Sequence, residues 1–223
     1  MFTWNLILCL SISLTNLMPA AENMEIPKHS QRILESIRAE SENTLQVKWN
    51  SVTQTPELLT GNLTKPSEHS PGWITFRYLE KIKRLYDLKH LDHDLKIISI
   101  DKSTTSTIVT MQRQLYKNPV CGDQMIVELD KSGVVQRING TIHAGLEEKR
   151  QRRPMYPAVS VEDAKRIALK YDASLKTSTP INEVSCYHPT RDGIPLVHVL
   201  TYEKDGRAVP ITIHSMTGRV IEK

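Results

Sequence analysis

V-E-L-D-K-S-G-V-V-Q-R-I-N-G, residues 127–140, reads as strand, tight turn, strand. Asp130-Lys131-Ser132-Gly133 supplies the turn, with Gly133 free to take the positive φ that a tight hairpin requires. The same local pattern returns at V-P-I-T-I-H-S-M-T-G-R-V-I, residues 209–221, just before the last residue, Lys223. Two hairpins of one kind, each preceded by a helix and further strands, predict the same α+β plan used twice.

Working back from the first hairpin, residues 95–100 (LKIISI), 107–114 (TIVTMQRQ) and 124–129 (QMIVEL) carry strand spacing. Tyr116-Lys117-Asn118-Pro119 turns the chain before the last of them. Pro71-Gly72 opens a helix in which Ile74, Tyr78, Ile82 and Leu85 recur every 3.6 residues, with Lys81, Lys83 and Arg84 on the wet side. Residues 50–71, rich in Thr, Pro, Ser and Gly, read as connection with little regular structure. Residues 45–49 (LQVKW) alternate as a strand, and residues 30–42 form a short amphipathic helix around Ile33, Leu34 and Ile37.

Beyond the first hairpin, residues 146–157 (LEEKRQRRPMYP) are dense in charge and close on prolines, which marks a domain boundary. Ser160-Val161-Glu162-Asp163 is a capping-box pattern with Asp in place of Glu or Gln. Ala164, Ile167, Ala168 and Tyr171 continue the apolar face of the helix it opens. Residues 183–188, 196–203 and 208–213 then read as strands, with Asp192-Gly193 and Asp205-Gly206 as turns and Val220-Ile221 closing the sheet.

The composition is that of an ordinary globular protein: 39% hydrophobic, 24% charged and only 5% aromatic, so Ile, Leu and Val must build the core. A net charge of +4 permits attraction to an acidic partner but falls short of a nucleic-acid-binding composition. The first 21 residues lack any charged side chain, and residues 6–17 are mostly apolar before Met18-Pro19-Ala20-Ala21. That pattern reads as a secretory signal over 1–21, although no Lys or Arg precedes it. It is too short to span a membrane, which takes about 20 apolar residues. Its removal leaves Cys121 and Cys186. An oxidising compartment would let them pair, but two cysteines alone make no framework, and this reading favours two separate thiols.

Several phrases then match in order. Thr60-Gly61-Asn62-Leu63-Thr64-Lys65-Pro66-Ser67, followed by a helix ending in Tyr86-Asp87-Leu88, resembles the fungalysin/thermolysin propeptide domain. Residues 112–120 (QRQLYKNPV) resemble that family's Q-x-Y-x-x-x-P-V phrase, displaced by one step and with Cys121 where an aromatic is usual. Residues 157–223 resemble the PepSY module that follows it, with His214 in place of Asp in the terminal hairpin. The resemblance implies residues 22–145 as the first module, 146–157 as a charged linker and 158–223 as the PepSY domain, each a helix packed on an antiparallel sheet.

In thermolysin-like (bacillolysin-type) precursors this pair precedes a zinc peptidase domain, assists its folding and blocks its active site. No His-Glu-x-x-His, which would put two zinc ligands and a base on one helix face, occurs in the 223 residues. The resemblance therefore implies a secreted, non-enzymatic protein without cofactor. It would inhibit or help fold a thermolysin-like metallopeptidase in trans. A cell-envelope PepSY binding module, or a relic of a precursor without its catalytic half, are the alternatives. Arg219, Val220, Ile221, Glu222 and Lys223, where a precursor would join its enzyme, are the candidate partner-binding residues.

Three other clusters weigh less. His90-Leu91-Asp92-His93-Asp94 holds metal-ligand types but reads first as a polar connection. Lys149-Arg150-Gln151-Arg152-Arg153 could dock on an acidic surface or invite proteolysis, and reads first as a solvated linker. Cys186 with His188 two residues away shares a strand face without the further groups nucleophilic catalysis needs.

Overall fold

The computed structural model describes residues 26–175 and 179–222. The leader read at 1–21 and Lys223 lie outside them. The chain runs α1 (Lys28–Glu40), β1 (Gln46–Asn50), β2 (Thr55–Thr60), α2 (Pro71–Ile82), α3 (Leu91–Asp94), β3 (Leu95–Lys102), β4 (Ser106–Leu115), β5 (Asn118–Asp130) and β6 (Val135–Gly140). A second series follows: α4 (Leu146–Lys149), α5 (Val161–Tyr171), β7 (Asn182–Tyr187), β8 (Leu196–Lys204), β9 (Arg207–His214) and β10 (Val220–Ile221). The fold is mixed α+β, with helices and a largely antiparallel sheet, the class the sequence pattern predicts.

Among the described residues ten strands join in the order β1-β2-β6-β5-β7-β8-β9-β10, with β4 hydrogen-bonded to β5 and β3 outside β4. β5 makes the whole continuous. Its second half pairs with β6 from Met125↔Gly140 to Leu129↔Val135. Its first part instead meets β7 through one parallel pair, Val120↔Tyr187. Every other strand pairing is antiparallel.

Alternation sets the faces. On β4, Val109, Met111, Arg113 and Leu115 are buried while Ile108 is exposed. The inward residues of β2, β4, β5 and β6 pack under α1 and α2, whose Leu34, Ile37, Ile74, Tyr78, Leu79 and Ile82 complete the first core. α5 supplies Ala164 and Ala168 to a separate core with Leu200, Tyr202, Ile211 and Ile213. The helix starts follow their caps. The Ser70 side chain accepts from Trp73 N with Pro71 in the first turn of α2, and Ser160 accepts from Asp163 N while donating to the Asp163 carboxylate.

The structure departs from the sequence reading in three places. Residues 55–60, read as irregular connection, are β2, which pairs with β1 and, about eighty residues on, with β6 through Leu59↔Ile138. Thr-Pro-Glu-Leu-Leu-Thr lacks clean alternation, so its local pattern hides a strand that distant partners impose. Second, the charged stretch at 146–157 begins as packed structure: Leu146 is buried, α4 is helical, and Arg150 Nη1 donates to Ile194 O at 3.2 Å.

The third departure concerns the cysteines. Cys121 and Cys186 do not remain separate thiols. They form a disulfide with Cα atoms 5.4 Å apart. The reason is the Val120↔Tyr187 pair, which lays the start of β5 beside the end of β7. Nothing local in either segment encodes that meeting.

Candidate docking edge and the junction behind it

Of the sequence-predicted partner residues, Val220 and Ile221 form an edge strand flanked by Arg219 and Glu222, and Lys223 lies outside the described residues. Val220 pairs with Ile213 and Ile221 with Thr212, so β10 closes one side of the sheet, with one row of backbone groups on β9 and the other row facing outward. Val220 packs against the second core. Arg219 is exposed, and Tyr171 Oη donates to Glu222 Oε1 at 3.3 Å, the Glu222 charge raising the Tyr171 hydroxyl above its usual range.

The hairpin before β10 is tightly held. Gly218 N donates to His214 O and His214 N to Arg219 O, both at 2.9 Å. Gly218 has φ +71°, and a Cβ there would stand 3.0 Å from Ile167 Cδ1 on α5. Buried Ser215 accepts at its carbonyl from both Ala158 N and Val159 N, fixing the hairpin to the segment that leads into α5. The exposed tip carries Met216 and Thr217. The edge is therefore presented by a rigid base rather than by a free arm.

Across β9, β8 and β7 from this edge lies the junction of the two sheet halves. Leu115, Val120, Leu146, Tyr187, Ile194 and Leu196 form a third buried cluster. Arg150 lies 5.7 Å over the Tyr187 ring, and Tyr187 Oη accepts from Met155 N at 2.9 Å. The disulfide is the covalent tie across the same junction.

Next to it sits a polar group that the sequence did not reveal. Arg113 is 2% exposed, 3.7 Å from the Asp94 carboxylate, and its Nε and Nη1 lack hydrogen-bond partners among the described residues. Burial lowers its pKa, opposed by the charges of Asp94 and Asp123. Asp123, fully buried, accepts from His143 Nδ1 at 2.6 Å and His143 N at 2.7 Å. The signal available in sequence was a lone Arg at an inward position of an otherwise apolar strand.

The other candidates resolve plainly. In the 90–94 cluster, Asp94 Oδ2 accepts from Lys89 N at 2.7 Å and His90 N at 3.0 Å, so it caps its own turn. His93 and Asp92 are exposed. No group of three His, Cys, Asp or Glu among the described residues could hold a metal ion. Cys186, bonded to Cys121, has no thiolate to offer as a nucleophile. Arg150 of the basic run is bound into the junction, while Lys149, Arg152 and Arg153 remain exposed. No helix among the described residues is long and apolar enough to cross a membrane.

No family model matches the chain. Over 116 residues, 50% of its length, the chain is 31% identical to bacillolysin of Bacillus cereus. The match spans 20% of that protein's length. The solved C-terminal domain of Bacillus megaterium YpeB aligns with 88% of this chain and 96% of its own at 13% identity, with a TM-score of 0.40.

Proposed function

We propose that this protein is a propeptide-type regulator of a thermolysin-like zinc metallopeptidase, active on the peptidase when supplied as a separate polypeptide. The observation that carries the reading is the 31% identity to bacillolysin over half the chain, in a sequence without the zinc-binding His-Glu-x-x-His. In this reading residues 22–145 correspond to the fungalysin/thermolysin propeptide domain and 158–223 to a PepSY module, with 1–21 as an export signal. The disulfide fits the oxidising conditions that a secreted protein meets.

The mechanism asks for a rigid surface that covers a cleft. A specific interface buries about 1,600 Å² in total, and the β10 edge with its hairpin tip offers unpaired backbone for strand addition. Arg219, Val220, Ile221 and Glu222 lie along that edge, with Lys223 following. Binding to the native peptidase inhibits it while occupied and stabilises it by mass action. Binding to a late folding intermediate raises refolding yield.

Purified protein added to B. cereus bacillolysin tests this. Peptide hydrolysis slows with an inhibition constant at micromolar or tighter levels, or refolding yield of the denatured peptidase rises. Truncation after Gly218 weakens either effect at least about tenfold, the loss of roughly 1.4 kcal/mol of interface. Unchanged rates and unchanged refolding at tens of micromolar protein would remove the proposal.

A further inference from the structure

On the first half of the molecule, far from β10 in sequence, α2 presents a side-chain stack that the regulator reading leaves unused. His69, just ahead of the Ser70 cap, stacks on Trp73, and Trp73 and Arg77 lie four apart on α2. The His69 and Trp73 rings are 3.9 Å apart, and Arg77 Cζ lies 5.6 Å from the Trp73 ring centre. Trp73 is nonetheless 47% exposed. Trp and Arg are the residue types that dominate binding energy at protein interfaces.

Trp73 and Arg77 border a cavity of about 340 Å³, which Lys65, Tyr78, Lys81 and Glu40 also line. That is within the size range of small-ligand sites. Lys81 pairs with Glu40. Lys65 and Arg77 have no ion pair among the described residues, so the site keeps a local excess of two positive charges. Tyr78, only 5% exposed, forms part of the cavity wall with its ring packed into the first core.

The shape argues for a chain rather than a single ion. A second cavity of about 270 Å³ shares Glu40, Thr64 and Lys65 with the first, and carries Glu42 and Asp130 further on. With the two cavities side by side, an extended occupant would cover both. Its negative charge must sit at the Trp73 end, because the far end is acidic.

We propose that the groove beside Trp73 binds an extended peptide segment of a partner protein, with an acidic side chain held between Lys65 and Arg77 against the Trp73 ring. The site is separate from the β10 edge, so its failure would leave the regulator reading untouched.

The test is calorimetric titration of the whole protein with acetyl-Ala-Glu-Glu-Ala-amide, the neutral acetyl-Ala-Gln-Gln-Ala-amide and inorganic phosphate. The expected result is saturable binding of the Glu peptide, at least about fivefold tighter than the Gln peptide, weakening as salt rises. Arg77→Ala weakens it about tenfold, the size of one lost charge-assisted hydrogen bond. Lys65→Ala weakens it to a similar extent while leaving the far-ultraviolet circular dichroism unchanged. Lys117→Ala, on the β4–β5 turn, changes nothing. Failure of the Glu peptide to saturate, or equal binding by Arg77→Ala, would overturn the site. Phosphate binding as tightly as the peptide would overturn the peptide assignment in favour of a simple anion site.

Discussion

Replacing Cys121 and Cys186 together by Ala removes the covalent tie between two sheet halves that otherwise meet through one parallel strand pair and a six-residue apolar cluster. The bond closes a loop between residues 65 apart in sequence. Loop-closure entropy for a span of that size gives about 4 kcal/mol of stabilisation at 25 °C. With a urea slope of about 2 kcal/mol per M, the midpoint falls by about 2 M. The probes can be separated by region, because Trp49 and Trp73, the described tryptophans, both belong to the first core or its rim. Fluorescence follows the first half, while circular dichroism follows both. In the oxidised protein the two curves coincide, as one cooperative unit requires. In the double variant the circular dichroism transition begins earlier, because the smaller second core loses its anchor. Alkylation of the native, unreduced protein finds no thiol at either position. Two alkylatable thiols at these positions, or a midpoint shift below about 0.3 M (roughly 0.6 kcal/mol at that slope), would refute the reasoning.

Other consequences can be checked with the same equipment. Gly133→Ala places a Cβ 2.2 Å from Ser67 O at a φ of +76°, and should lower stability by more than the roughly 1 kcal/mol of an unstrained turn change, read as a fall in urea midpoint. Arg113→Ala leaves the Asp94 carboxylate buried without its cation and should cost about 3–5 kcal/mol, whereas Arg113→Met, which fills the space, should cost less than Arg113→Ala. Asp172 accepts hydrogen bonds from Ser174 and pairs with Lys204, which hold its pKa down to about 2. A depressed carboxylate stabilises the fold above its unfolded value near 3.8 and loses that contribution as pH falls toward about 2. Asp172→Asn should therefore flatten the loss of stability between about pH 4 and 2 and lower stability at neutral pH.

Much of the site was legible locally, and the divide follows the range of the forces. The Thr60–Ser67 phrase is an instance. Its residues read as a motif, and its physical role is to bind the segment along β6 and its turn. Gly61 N donates to Gln136 O, Leu63 N to Val135 O, and Ser67 N to Ser132 O. Gly133 must be Gly because Ser67 O passes where a Cβ would be. The terminal hairpin was equally readable, since a turn and two short alternating runs are set within a dozen residues. What could not be read was where these pieces meet. β2 is a strand because β6 lies beside it, Cys121 meets Cys186 because β5 runs past β7, and Arg113 is tolerated inside because Asp94 and Asp123 arrive from other elements.

The amino-acid sequence by itself determined the α+β class, the helix starts at Pro71 and Ser160, and the two hairpins, because capping, turn conformation and side-chain alternation act over a few residues. Only the tertiary structure decided the disulfide, the buried charge cluster and the groove beside Trp73. Each of these needs side chains from segments tens of residues apart, and their separation in space is fixed by sheet pairing and core packing rather than by any local preference.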